Sequence, residues 1–321
     1  MAPVQTPRRV RDLGVVVGTQ PTGPLNAITD VPGVRVGQTT ISTGDLHTGV
    51  TAIVPDGYAD GLPAAVAVGN GYGKLVGSTQ VDELGVIETP VLLTGTLSVF
   101  RVADALLTWL LDRDPRATSL NPVVGETNDG HLSDVRRRPI TPEHVHAALD
   151  SASADRPAEG CVGAGTGTSA LGFKAGIGTA SRTAGRGTVG VLVQANFSGT
   201  LTVLGTPVPA APLDADGNSC MIVVATDLPL DARQLGRVAR RAVFAMGRVG
   251  SDFSPGSGDY AVAFGTHRPP AFADRELRPV FQATTESVEE ALLNSLTMAT
   301  TTVGYQGRTA QAVPHDLVRP R

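Results

Sequence analysis

Residues 216–227 read Asp216-Gly217-Asn218-Ser219-Cys220-Met221-Ile222-Val223-Val224-Ala225-Thr226-Asp227, a polar turn that leads directly into apolar residues. The apolar run from Met221 to Ala225 predicts a buried strand. Ser219 lies at the junction, where a core strand would fix the direction of its hydroxyl. This arrangement suits an N→O acyl shift that breaks the Asn218–Ser219 bond and gives Ser219 a free α-amino group. A polar residue that only ends a turn is the alternative, and this segment alone does not decide between the two.

The composition is that of a globular protein with many tight turns. The chain has 321 residues, of which 41% are hydrophobic and 17% charged, with 38 glycines and 23 prolines. The net charge of −4 and the scattered basic residues argue against a nucleic-acid partner. Two cysteines, Cys161 and Cys220, are too few for a disulfide framework or a zinc site.

Targeting and membrane signals are missing from the sequence pattern. The basic residues near the N-terminus are not followed by an apolar stretch of signal-peptide length. No run approaches the roughly 20 apolar residues that a membrane-spanning helix needs. We therefore expect a cytoplasmic protein without a membrane partner.

Short strand-like segments and a few amphipathic helices alternate irregularly, which favours an α+β layered fold in one domain. An extended N-terminal arm, residues 1–26, precedes the domain at 27–321. Strong strands are predicted at Val189–Ala195 and Tyr260–Phe264, and Leu201–Leu204 suggests the return arm of a hairpin. Helices are predicted at Leu97–Leu111, from Pro142, at Asp231–Met246, and at Ser287–Ala299 with the capping-box pattern Ser287-x-x-Glu290.

Several familiar catalytic patterns are absent. The stretch Gly69–Lys74 does not meet the P-loop spacing, no Gly-x-Ser-x-Gly elbow occurs, and the histidines do not form a His-Glu-x-x-His motif. These absences argue against a nucleotide-binding protein, an α/β-hydrolase and a zinc peptidase of the His-Glu-x-x-His type.

Other polar residues stand where an amide hydrolase would need them. Asn196 ends a predicted strand, where its carboxamide can stabilise an oxyanion. Ser257 and Asp259 precede another strand, so a hydroxyl and a carboxylate can share one site and tune an amine. Glu126 lies in the loop sequence Glu126-Thr127-Asn128-Asp129-Gly130 and can hold a substrate ammonium. Each of these residues can also belong to an ordinary turn.

Taken together, the motifs resemble one family, the L-aminopeptidase/D-esterase (D-amidase) family, which includes the β-peptidyl aminopeptidases. The likeness covers roughly residues 25–305 and rests on motifs that follow the family's order: Ile28–Gly37, Gly69–Lys74, Glu83–Pro90, Glu126–Gly130, Gly165–Thr168, Gly176–Arg182 and Asn218–Asp227. The resemblance implies an αββα four-layer sandwich similar to N-terminal nucleophile hydrolases but differently connected. It also implies a precursor that cleaves itself between Asn218 and Ser219, into residues 1–218 and 219–321.

The resemblance also assigns roles to residues. Ser219 would be the nucleophile, Asn196 an oxyanion donor, and Ser257 and Asp259 the supporting hydroxyl and acid. Glu126 would bind the substrate's amino group. The substrate-binding set would also include two neighbours of Glu126 in the same loop, namely Asn128 and His131. No metal or organic cofactor would be needed, and relatives commonly form homo-oligomers, either tetramers or octamers.

Three departures from the family pattern bear on the substrate. Asn218 stands where many relatives have glycine, Asp259 where β-aminopeptidases tend to have glutamate, and His131 where an aromatic residue is common. The expected activity is that of an aminopeptidase or amidase acting on small peptides or amides through a Ser219 acyl-enzyme. An endo-acting oligoamide hydrolase, an acyltransferase of the ornithine-acetyltransferase type and an inactive binding module stay open at this point.

Overall fold

The computed structural model describes residues 5–209, 218–267 and 272–320. The strands in these ranges are β1 Val34–Thr43, β2 Leu46–Pro55, β3 Leu62–Gly71, β4 Leu75–Val76, β5 Val86–Ile87, β6 Val91–Gly95, β7 Val123–Thr127, β8 Ser169–Ala170, β9 Phe173–Lys174, β10 Ile177–Ala184, β11 Gly187–Asn196, β12 Thr202–Val203, β13 Thr206–Pro207, β14 Asn218–Thr226, β15 Ser257–Gly265, β16 Thr302–Val303 and β17 Thr309–Ala310. The helices are α1 Ser78–Leu84, α2 Val99–Leu111, α3 Pro142–Asp150, α4 Ala232–Met246, α5 Leu277–Thr297 and α6 His315–Val318. Of these helices, none is both long and apolar enough to cross a membrane.

Two large sheets contain most of the described strands. One has five strands in the order β1-β2-β6-β7-β4, and the other has six in the order β10-β11-β14-β15-β3-β5. The strand predicted from Met221 to Ala225 is β14, which lies inside the second sheet, antiparallel to β11 and parallel to β15. A central strand that is covered on both faces needs an uninterrupted apolar sequence, and this explains the run that the chain carries here.

The side chains of β14 alternate between two hydrophobic clusters, and this alternation defines the layers. Cys220 and Val224 belong to the cluster beneath α4 and α5, whereas Met221 and Val223 pack toward the other sheet. Helices α2 and α3 cover the outer face of the five-stranded sheet through a third cluster. The predicted αββα sandwich is therefore confirmed.

The two sheets come close together where β7 faces the beginning of β14. A Cβ atom at Gly125 would overlap the flexible end of the Met221 side chain, so any larger residue there would force that side chain to move. Glu126 follows directly in β7, and Asn128 lies just beyond the end of this strand. The close approach therefore brings the end of β7 to the first residues of β14.

Three predicted helices are present close to where the sequence places them. Helix α2 ends at Leu111 as expected, and α3 begins at Pro142. Helix α4 begins after Asp231, whose carboxylate accepts the N–H of Gln234 at 2.7 Å and caps the helix.

The prediction for the last helix is wrong at its start. Helix α5 begins at Leu277, and Ser287 is fully buried in the middle of the helix. Glu290 does not cap anything, because its carboxylate pairs with Arg182 and Arg11. A capping-box spacing therefore occurs here inside a helix. Helix α5 is also not the last helix, because the short helix α6 follows it.

The prediction that Leu201–Leu204 forms the return arm of a hairpin with the preceding strand is also wrong. Strand β11 pairs with β10 and β14, whereas β12 pairs with β13 to form a separate small hairpin. Leu204 and Gly205 form its turn with φ of 47° and 81°. A two-residue turn of this kind needs positive φ at both residues, which is the local reason that the chain folds back here.

Residues 5–26 pack along α5 and include the 3-10 turn Val10–Leu13. The Val10 N–H donates to Asn294 Oδ1 at 3.0 Å. The N–H groups of Thr19 and Gln20 donate to the two carboxylate oxygens of Glu286, each at 3.0 Å. These bonds attach the predicted arm to the body of the domain.

Candidate active site

Ser219 is the second residue of β14, and its side chain faces the five-stranded sheet. It has the same parity along the strand as Met221, which packs between the sheets. The side chain is only 2% exposed, and its Oγ accepts the backbone N–H of Asn128 at 3.0 Å. The hydroxyl predicted to be the nucleophile therefore lies between the sheets beside a backbone donor.

The residue before Ser219 is held by its own side chain. Asn218 Nδ2 donates to Ser198 Oγ at 3.0 Å, and that hydroxyl donates to Asp252 Oδ1 at 2.7 Å. Asp216 and Gly217, the other members of the predicted turn, lie outside the described residues. The bond predicted to break is thus flanked by an anchored side chain on one side and by a core strand on the other.

Asn196 is the direct neighbour of Ser219 in the antiparallel pairing of β11 with β14. Its Oδ1 accepts the Ser169 N–H at 3.1 Å, and the side chain is buried. Because Oδ1 accepts this bond, the NH₂ group of the Asn196 carboxamide points away from the Ser169 N–H. The strand end thus places an oriented amide next to the serine.

Ser257 and Asp259 are paired with the residues on either side of Ser219. The parallel register aligns Ser257 with Asn218, Gly258 with Ser219, and Asp259 with Cys220. Their side chains therefore flank the Ser219 backbone from the face of the sheet opposite to the Ser219 hydroxyl. The register thus places both side chains next to the first residues of β14.

The two side chains form one hydrogen-bonded unit. Ser257 Oγ donates to Asp259 Oδ1 at 2.7 Å, and Asp259 Oδ2 is buried without a hydrogen-bond partner among the described residues. Burial raises the pKa of Asp259 from 3.8 to about 6, the Ser257 hydrogen bond lowers it, and the nearby Asp252 charge raises it. Asp259 therefore changes its charge close to neutral pH.

Glu126 faces the same region from β7 and is paired with Lys74. Glu126 Oε1 accepts the Lys74 backbone N–H at 3.1 Å and lies 3.2 Å from Lys74 Nζ. Lys74 Nζ also donates to Thr96 Oγ1 at 2.7 Å. The Glu126 side chain is 3% exposed and that of Lys74 is 38% exposed, so the lysine presents more surface to solvent.

A pocket of about 270 Å³ brings these groups together. Its lining includes Ser219, Asn218, Glu126, Asn128 and Lys74, together with two exposed hydrophobic residues, Tyr72 and Leu97. The nucleophile candidate and the charged pair therefore share one cavity.

Of the predicted substrate-binding residues, Glu126 and Asn128 line this pocket and His131 does not. Asn128 Oδ1 accepts the Gly130 N–H at 2.9 Å, which leaves its backbone N–H directed at Ser219. His131 is half-buried in the turn that follows.

Sequence reasoning missed two contributors to the site, the Asn128 N–H and Lys74. A backbone donor leaves no mark in the choice of side chain. Lys74, by contrast, is the last residue of the Gly69–Lys74 motif, and this motif could have indicated that Lys74 belongs to the site.

The model of peptidase family S58 matches residues 26–310. A β-peptidyl aminopeptidase, BapA of Sphingosinicella xenopeptidilytica, is 40% identical, with 96% of this chain and 89% of the relative covered. A solved β-aminopeptidase from Burkholderia sp. is 37% identical with a TM-score of 0.89, covering 97% of both chains. The L-aminopeptidase D-Ala-esterase/amidase of Ochrobactrum anthropi, described as a variant of the Ntn hydrolase fold, is 37% identical with a TM-score of 0.87, covering 97% of this chain and 96% of that one.

Proposed function

Because this chain belongs to peptidase family S58, we propose that Ser219 is the nucleophile of an aminopeptidase and amidase that completes its active site by cutting its own chain. The family membership makes the protein an enzyme that hydrolyses peptide bonds. The observation that carries the residue assignment is the Ser219 hydroxyl, which lies in a pocket and accepts a backbone N–H at 3.0 Å.

Self-cleavage requires that Ser219 Oγ attacks the carbonyl carbon of Asn218. The C–N bond then breaks, the Ser219 nitrogen takes a proton, and Asn218 is left as an ester on the hydroxyl. Water hydrolyses this ester, which releases the Asn218 carboxylate and restores the hydroxyl. The product has a free α-amine on Ser219, and a nucleophile and a base then belong to the same residue.

Turnover uses the same atoms on a substrate. The α-amine, whose reference pKa is about 7.7–8.0, accepts the hydroxyl proton as Oγ attacks the scissile carbonyl. The proton passes to the leaving amine, an acyl-enzyme forms on Oγ, and water releases the acyl group. The Asn196 carboxamide would support the developing oxyanion, and loss of such a donor costs roughly 3 kcal/mol of barrier. The Asn128 N–H, which donates to Ser219 Oγ, would orient the nucleophile.

Asp259 and Ser257 would orient the α-amine and stabilise its protonated form. Their place beside the Ser219 backbone supports this role, and so does the buried carboxylate oxygen that has no partner among the described residues. An ionised Asp259 attracts the ammonium that forms during attack, whereas a protonated Asp259 does not.

This role predicts a pH dependence with two ionisations. In the processed enzyme the Ser219 amine, with a reference pKa of about 7.7–8.0, gains a proton first, and the ammonium so formed lowers the pKa of the neighbouring Asp259 below the value of about 6 that it has in the uncut chain. Both protonations remove the active form, so log kcat/KM should fall with a slope of one below about pH 8 and approach two only at the lower pH where Asp259 is protonated as well. The measurement is kcat/KM of the processed enzyme on an aminoacyl p-nitroanilide between pH 4.5 and 9.

Two variants provide the controls. Asp259→Asn should keep only the slope of one, because the second ionisation is gone. Asp252→Asn should keep both slopes and move the lower midpoint to a more acidic pH, because the Asp252 charge contributes to the raised pKa of Asp259. A slope of two that persists in Asp259→Asn would contradict the assignment.

Glu126 would bind the ammonium of the substrate's first residue and so restrict the enzyme to N-terminal cleavage. The pocket supports this because Glu126 is a buried carboxylate in the same cavity as Ser219. Relatives named β-peptidyl aminopeptidases support a first residue of the β-amino acid type for this chain. In such a residue one extra carbon separates the ammonium from the scissile carbonyl.

A pair of substrates tests the function. β-Alanyl p-nitroanilide should be cleaved, and its N-acetylated form should react slower by about two orders of magnitude, since the charge-assisted bond between the substrate ammonium and Glu126 is lost. The release of p-nitroaniline measures both rates. Equal rates would contradict the aminopeptidase assignment and favour an endo-acting amidase.

A further inference from the structure

The pair of Lys74 and Glu126 offers the pocket two opposite charges, and the proposed mechanism uses only one of them. Glu126 Oε1 already accepts two donors from Lys74, and the carboxylate is nearly buried. Lys74 is the more exposed partner, with 38% of its side chain accessible. A substrate that enters therefore meets an ammonium beside the carboxylate.

Lys74 also has hydrogen-bonding capacity that the described residues do not use. Its ammonium has three N–H donors, and two of them are directed at Thr96 Oγ1 and Glu126 Oε1 at 2.7 and 3.2 Å. Among the described residues no acceptor takes the third. A counter-ion that only neutralised Glu126 would not need to line the cavity, yet Lys74 does.

The complement of this pair is a zwitterion, with its ammonium on Glu126 and its carboxylate on Lys74. The two charged atoms of the pair are 3.2 Å apart. Two groups on one carbon atom of a substrate can therefore reach both residues. Charge-assisted bonds of this kind are the stronger class of hydrogen bond in proteins.

We propose that Lys74 is a specificity-determining residue that selects β-linked aspartyl residues at the N-terminus of the substrate. In such a residue the side-chain carboxyl forms the scissile amide, so the α-ammonium and the α-carboxylate both stay free on one carbon. That carbon is β to the scissile carbonyl, so the residue is a β-amino acyl group that carries one extra carboxylate. The inference rests on the proposed function, because it assumes that Glu126 binds the ammonium and that Ser219 attacks the carbonyl.

The test compares two substrates that differ only in this carboxylate. One is β-aspartyl p-nitroanilide with a free α-carboxylate, and the other carries an α-carboxamide of nearly the same shape. The wild-type enzyme should prefer the free acid in kcat/KM by about tenfold or more, which is the scale of one charge-assisted hydrogen bond. Equal rates, or a preference for the amide, would overturn the proposal.

Substitutions of Lys74 assign the preference to this residue. Lys74→Gln should reduce the ratio of acid to amide to about one or below, because the positive charge is lost and Glu126 then repels the substrate carboxylate. Lys74→Arg should keep a ratio above one, since it keeps the charge. Both ratios are taken within one variant, so a general loss of activity cancels. A ratio that persists in Lys74→Gln would overturn the role of Lys74.

A third substrate separates this inference from the proposed function. β-Alanyl p-nitroanilide has the ammonium and the scissile carbonyl but no second carboxylate. If it is cleaved while the acid and amide react equally, the aminopeptidase assignment stands and the selection by Lys74 is refuted. If no aminoacyl substrate is cleaved, the proposed function itself fails and the inference fails with it.

Discussion

The Ser219→Ala variant is expected to stay a single full-length chain and to show no turnover of aminoacyl p-nitroanilides. The substitution removes the only atom that attacks in both proposed reactions, the self-cleavage and the hydrolysis of substrate. Loss of a catalytic serine in a serine hydrolase lowers kcat by about 10⁶-fold, which here means no measurable product. Denaturing electrophoresis and p-nitroaniline release measure the two effects.

Ser219→Cys is the matched control for this variant. A thiol has nearly the same size as the hydroxyl and can attack the same carbonyl, so this chain should still be cut, at a changed rate. If Ser219→Ala were cut and active, another residue would have to be the nucleophile.

The Arg182→Met variant is expected to lose about 3–5 kcal/mol of unfolding free energy, the usual cost of removing one partner from a buried ion pair. Arg182 is fully buried, with Nε 3.3 Å from Glu286 and Nη2 2.5 Å from Glu290. Its Nη2 also donates to the Val17 carbonyl at 2.8 Å. The substitution leaves two buried carboxylates without this counter-charge and loosens the N-terminal segment, and a urea titration measures the loss.

An exposed arginine provides the comparison. Arg35 lies 3.0 Å from Asp56, and the two side chains are 42% and 65% exposed. Arg35→Met should therefore cost no more than about 1 kcal/mol, because water screens the pair. Equal losses in the two variants would show that burial does not determine the contribution of Arg182.

Much of the layered fold follows from local sequence signals. The run from Met221 to Ala225 has no polar interruption, which is typical of a strand covered on both faces, as β14 is. Helix α4 is equally predictable from the sequence, because its apolar residues and its arginines lie on different faces and Asp231 caps its start. In these segments the local preference and the tertiary environment agree.

The structure of other segments cannot be predicted from local sequence, because it depends on tertiary contacts. Helix α5 is buried along most of its length, so polar residues such as Ser287 and Glu290 lie inside the protein and imitate a helix start. Glu290 is buried in the helix because it pairs with Arg182. Arg182 is distant in sequence, so no local pattern indicates this pairing.

Only some side chains of the candidate pocket are predictable from the sequence, and its backbone donor and its pairings are not. Ser219, Glu126 and Asn128 were named from the order of motifs, and all three line one pocket. The Asn128 N–H was not predictable, because its direction depends on how the two sheets pack at Gly125. The bond between Lys74 and Glu126 depends on the same packing.

Intact-mass analysis of the purified wild-type protein, with N-terminal sequencing of each chain, tests the central claim most directly. The account predicts two associated chains that end at Asn218 and begin at Ser219, the second reading Ser-Cys-Met-Ile from its first residue. A single chain of 33.0 kDa, in fresh and aged protein alike, would contradict it.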